Sequence, residues 1–89
     1  MISKTTKRFR DALGKLPKDV QRQARDAYRL FSQDPNHPGL RFKKVHTTEP
    51  IYSARISIDY RALGVLDGED IVWFWIGSHA QYEKVLQQL

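Results

Sequence analysis

Asp59-Tyr60-Arg61-Ala62-Leu63-Gly64-Val65-Leu66-Asp67-Gly68-Glu69-Asp70-Ile71-Val72-Trp73-Phe74-Trp75-Ile76-Gly77-Ser78-His79 is the stretch that decides the fold. Residues 60–66 read as a strand, and Asp67-Gly68 is a strong signal for a tight hairpin turn. Residues 71–76 are apolar on both faces. That places the second strand centrally in a sheet, covered at least in part on both sides. The run stops at Gly77-Ser78-His79, which sets an imidazole at the rim of the sheet, with Tyr82 three residues on.

Outward toward the C-terminus, Ala80 to Leu89 reads as a short helix with Val85, Leu86 and Leu89 as apolar contacts. Upstream, Ile51 to Ile58 alternates: Tyr52, Ala54, Ile56 and Ile58 face one way, and Ser53, Arg55 and Ser57 the other. Leu40 to Val45 is a further candidate strand. The breakers Asp34-Pro35-Asn36-His37-Pro38-Gly39 separate it from a helix over about 17–33. On that helix Val20, Ala24, Ala27 and Phe31 form an apolar side, and Lys18, Arg22, Arg25 and Arg29 a basic one. An earlier helix begins near Lys7 with Phe9, Ala12, Leu13 and Leu16 in one stripe, and Leu16-Pro17 separates the two. Ile2 to Thr6 is short and polar, a candidate frayed edge strand. The expected architecture is a single α+β domain over 1–89. A helical hairpin packs on a mostly antiparallel sheet of three or four strands, and a short helix follows.

The net charge of +5 is unevenly placed. Residues 1–61 hold 14 of the 15 Lys and Arg and carry a net +8, whereas residues 62–89 carry −3. Such a field attracts polyanions, nucleic acid or an acidic protein alike. With no cysteine, a disulfide framework and a thiolate zinc site are both excluded. Three scattered histidines give no metal-ligand spacing, and no glycine-rich phosphate loop occurs, so no cofactor is expected. No apolar run approaches the ~20 residues of a membrane span, and the charged N-terminus does not resemble a signal peptide. The expectation is a soluble cytoplasmic protein with no membrane partner.

A basic chain with a histidine at a sheet rim points to acid–base chemistry on RNA. Metal-free cleavage needs a base for the 2′-hydroxyl, cationic donors for the five-coordinate phosphorus, and an acid for the departing 5′-oxygen. Histidine titrates near neutrality, and arginine presents a planar fork of donors. His79, Arg55, Arg61 and Tyr82 are the candidate catalytic set, and Arg41, Lys43 and Lys44 the candidate RNA-binding residues. Each also has a structural reading. His79 can be the first residue after a Ser78 cap. Arg61 can pair with Asp59, and Arg55 can be solvated. Lys43 and Lys44 can serve solubility alone, and Tyr82 can cover the core edge. Trp73 and Trp75 read as core, and the basic stripe on the second helix as a solvated face.

The chain resembles the RelE/ParE superfamily, small bacterial toxins of type II toxin–antitoxin modules. The likeness rests on the charged hairpin with its Leu16-Pro17 joint, on Leu40-Arg41-Phe42-Lys43-Lys44-Val45 and on Tyr52-Ser53-Ala54-Arg55-Ile56. It rests also on Asp59-Tyr60-Arg61-Ala62-Leu63 and on Ile76-Gly77-Ser78-His79, the last similar to the ending of YafQ-like members. The resemblance implies a curved antiparallel sheet with helices against it. For RelE-like members it implies a ribosome-dependent, metal-independent mRNA endoribonuclease that inhibits translation and is blocked by a cognate antitoxin. The family's sheet-borne basic residues map onto Lys43 or Lys44, Arg55 and Arg61, and its C-terminal positions onto His79 and Tyr82. The chain departs from the family in having no basic-rich C-terminus: Lys84 alone follows His79. Two alternatives accompany the nuclease reading: a ParE-like poison of DNA gyrase, and an inactive relative that only binds a partner.

Overall fold

A computed structural model describes all residues, Met1 to Leu89. The order is β1 (Ser3–Thr5), α1 (Lys7–Gly14), α2 (Lys18–Gln33), β2 (Lys43–Lys44), β3 (Ile51–Arg55), β4 (Tyr60–Asp67), β5 (Asp70–Ser78) and α3 (His79–Gln88), with a 3₁₀ turn at Pro38–Leu40 before β2. The five strands form one sheet in the order β1-β5-β4-β3-β2. The α+β class is as expected. The strand count rises from three or four to five because Ser3–Thr5 pairs parallel with Ile71–Trp73. A three-residue polar strand has no periodicity to read, and only its distant partner defines it. The apolar strand β5 is interior, between β4 and β1, while β4 holds the middle.

The helices follow local chemistry. Thr6 caps α1, its hydroxyl accepting from the Phe9 N–H at 3.1 Å. The Ser78 hydroxyl accepts from Gln81 N–H at 3.2 Å while the Gln81 side chain accepts from Ser78 N–H at 3.0 Å, a reciprocal capping box that starts α3. Gly68 takes φ 62° in the β4–β5 turn, a conformation that glycine adopts without strain. Along α2, Val20, Ala24 and Phe31 are buried. All four cations of its basic stripe are exposed, the solvated face.

Directly paired residues share a face of the sheet. Ala54 with Ala62, Tyr52 with Gly64, and Gly64 with Trp73 set the face under the helical hairpin. There Phe31 meets Trp73 and Phe42 edge-on at 5.4 and 5.0 Å, and Phe42 stacks on Tyr52 at 4.9 Å. Ser53 with Leu63, Arg55 with Arg61, and Arg61 with Gly77 set the other face. A bulge in β5 separates Leu63–Trp75 from Gly64–Trp73 and leaves Phe74 unpaired.

Three expected details differ. Ile58 does not continue the alternation of β3; it lies in the β3–β4 turn and is 71% exposed. The strand expected from Leu40 begins only at Lys43, because Leu40 closes the 3₁₀ turn and Arg41 has φ 46°. Leu89 is exposed, and Tyr82 is the buried contact of α3.

Candidate nucleic-acid interface

On the face away from the hairpin, a cleft of about 250 Å³ is lined by Arg41, Lys43, Ser53, Arg55, Arg61, His79, Tyr82, Glu83 and Leu86. Six of the seven candidate residues meet there. Lys44 is the exception: it pairs with Tyr52 and so faces the hairpin side, while its neighbour Lys43 pairs with Ser53 and faces the cleft. The choice between the two lysines depends on register, which the sequence did not reveal.

Each wall has an identifiable origin. Arg55 and Arg61 are directly opposed on β3 and β4, so two guanidinium side chains start from adjacent positions on one face. Arg61 donates through Nη1 to the carbonyls of Ser57 (2.5 Å), Tyr60 (3.0 Å) and Ile58 (3.3 Å), which braces the β3–β4 turn. Its expected pairing with Asp59 is not among the ion pairs formed. Loss of hydration lowers the Arg61 pKa from its ordinary value. Arg55 acts in the same direction and Tyr82 against it, with smaller effects from Arg41, lowering, and Asp59, raising. Like charges crowded in a partly dry cleft favour an incoming anion. Arg41 is the one non-glycine residue with positive φ, a costly conformation that bends the chain just before β2.

His79 is the first helical residue of α3, and its N–H donates to the Asp59 carbonyl at 2.7 Å, tying the helix start to the same turn. Its ring is about half exposed, with Nε2 3.7 Å from Glu83 Oε1 and its centre 5.8 Å from that of Tyr82. Tyr82 is only 6% exposed, so its ring face is largely committed to packing. Glu83, Ser53 and Leu86 also line the cleft and were not anticipated. For Glu83 the signal was available: it lies four residues after His79, one helical turn. His37 and His46 lie outside the cleft. No three His, Asp or Glu side chains gather as a metal-ligand group, and no helix is long and apolar enough to cross a membrane.

A helical hairpin packed on a sheet of this kind is the fold of the RelE/ParE superfamily toxins. Within it, the ParE-like toxin domain family matches residues 18–84, and the chain belongs to that family. A search of curated proteins by sequence gives no match. Among solved structures, the archaeal RelE–RelB complex from Pyrococcus horikoshii aligns at TM-score 0.72 and 21% identity, over 90% of this chain and 96% of that one. YafQ from E. coli aligns at 0.71 and 10% identity, over 90% and 94%. The isolated E. coli RelE toxin aligns at 0.66 and 17% identity, over 99% and 98%. At such identities the likeness is one of fold.

Proposed function

We propose that the chain is the toxin of a type II toxin–antitoxin module and that it cleaves mRNA on the ribosome without a metal, stopping translation. The observation that carries this reading is the convergence of Arg41, Lys43, Arg55, Arg61 and His79 on one cleft. Arg55, Lys43 and Arg41 hold the phosphate and stabilise the charge that grows on its oxygens. Arg61 contributes charge while holding the turn beneath His79. As the O2′–P bond forms and the P–O5′ bond breaks, the 2′-hydroxyl loses a proton and the 5′-oxygen gains one; His79 carries one of these transfers and water the other. Glu83 holds the protonated imidazole, and Tyr82 supports the ring from the core side. The need for a 2′-hydroxyl restricts cleavage to RNA. A cognate antitoxin is the expected protein partner, in keeping with the RelE–RelB complexes to which the fold is similar.

The test is to induce the chain in cells and pulse-label them. Early arrest of protein synthesis, relieved by His79→Ala and by Arg55→Ala at equal soluble expression, is the expected result. Both variants remaining fully toxic would remove the catalytic assignment. A second reading, poisoning of DNA gyrase, is favoured by the match to a ParE-like domain. Early DNA damage with translation intact would establish it instead.

A further inference from the structure

The hairpin side of the sheet is incompletely filled. A cavity of about 220 Å³ opens between α1, α2 and the sheet. Small residues line it from both layers: Ala24 and Ala27 from α2, Ala54 and Ala62 from the strands. Facing alanines cannot close the space between a helix and a sheet, so the gap is a direct product of the sequence. Phe31 and Trp73, both buried, complete an almost wholly apolar lining. Water in so apolar a space finds few hydrogen-bond partners, and the walls lack dispersion partners until an apolar group enters.

Its mouth has a different character. Arg25 and Tyr28 line it and are exposed to solvent. Arg10, also at the mouth, is held by the carbonyl and hydroxyl of Thr5 at 2.7 and 3.0 Å. Arg25 forms no ion pair. Lys18, Arg22 and Arg29 continue the same positive stripe on α2.

From this juxtaposition, an alanine-walled apolar cavity with an unpaired arginine at its mouth, we infer that the chain binds a small amphipathic monoanion. A cavity of roughly 150 Å³ accepts benzene, so this one accommodates an apolar body of about eight carbons. The anionic head pairs with Arg25, and a cationic head of equal length is repelled. The site lies on the opposite face of the sheet from the cationic cleft and does not depend on the nuclease reading.

Calorimetric titration of the full chain with octanoate, 1-octanol and octylammonium tests the inference. Octanoate is expected to bind with a Kd on the order of 10–100 μM, from about ten non-hydrogen atoms at an efficiency between that of drug-sized ligands and the ceiling for the smallest ones. Octanol should bind about tenfold more weakly, and octylammonium more weakly still. Arg25→Gln should weaken octanoate about tenfold and leave octanol unchanged. Ala27→Leu, which fills the cavity with a good helix former, should abolish both. Intermolecular NMR contacts from octanoate methylenes to the Trp73 and Phe31 rings provide a measurement on the unaltered chain. Absence of saturable octanoate binding at millimolar concentration would overturn the inference. So would octylammonium binding as tightly as octanoate, or contacts confined to other residues.

Discussion

Ala54 and Arg55 are neighbours in the chain, yet one is buried beneath the helical hairpin and the other lines a cationic cleft. The hairpin side is aromatic and apolar; the opposite side gathers four cations, one imidazole and one acid around a hollow. The first is built to hold the sheet together. The second crowds like charges and spends a positive-φ backbone conformation at Arg41, features that weaken an empty domain and favour a charged ligand. Packing is thus assigned to one side of the strands and the proposed chemistry to the other.

Substitutions can break that division or sharpen it. The largest effect is expected on the hairpin side: Trp73→Ala removes the ring that meets both Phe31 and Phe42 and should cost about 3–5 kcal/mol, read by urea unfolding. On the cleft side, Arg55→Ala should leave the unfolding midpoint within about 0.5 kcal/mol of the parent. It should lower RNA cleavage about 100-fold in a ribosome assay, close to 2.7 kcal/mol of transition-state stabilisation. A large loss of stability in that variant would contradict the separation. Gly64→Ala probes the seam of the bulge. A β-carbon there would lie 2.8 Å from Trp73 Cε3 and 2.9 Å from Ile71 Cγ1, so about 1–3 kcal/mol of destabilisation is expected by thermal melting. The smallest effect is Ser78→Ala, which removes the α3 cap and should cost about 1 kcal/mol. His79 would also lose definition, so activity should fall more than stability alone explains.

The elements legible in the sequence were those with local signals. The Asp67-Gly68 turn, the Leu16-Pro17 break and the apolar stripes of α1 and α2 each depend on neighbours within a few residues. So did the alternation that put Ser53 and Arg55 on one side of β3. What escaped depended on distant partners. Ser3–Thr5 was expected as an edge strand, but its parallel partner β5 could not be read from its own residues. Lys43 rather than Lys44 reaches the cleft because of the register with β3. Arg41 arrives through a left-handed backbone that nothing adjacent demands. Six of the seven proposed site residues still converged: Arg61 and His79 sit beside strand ends that local patterning located, and Arg55 lies on the strand face that its alternation marked.

The unpaired Phe74 acts through parity. Trp73 and Trp75 are two residues apart and would share a side of a regular strand. The inserted residue reverses that count: Trp73 goes beneath the hairpin, while Trp75 lies close against Gly77 on the cleft side. Everything downstream inherits the reversal, including the side on which Gly77 pairs with Arg61 and from which α3 departs. Paired without the bulge, the same chain would set Ile76 rather than Gly77 opposite Arg61 and deliver the histidine to the opposite side of the sheet from the arginines. A single unpaired phenylalanine is therefore the counting device that brings the two halves of the cleft together.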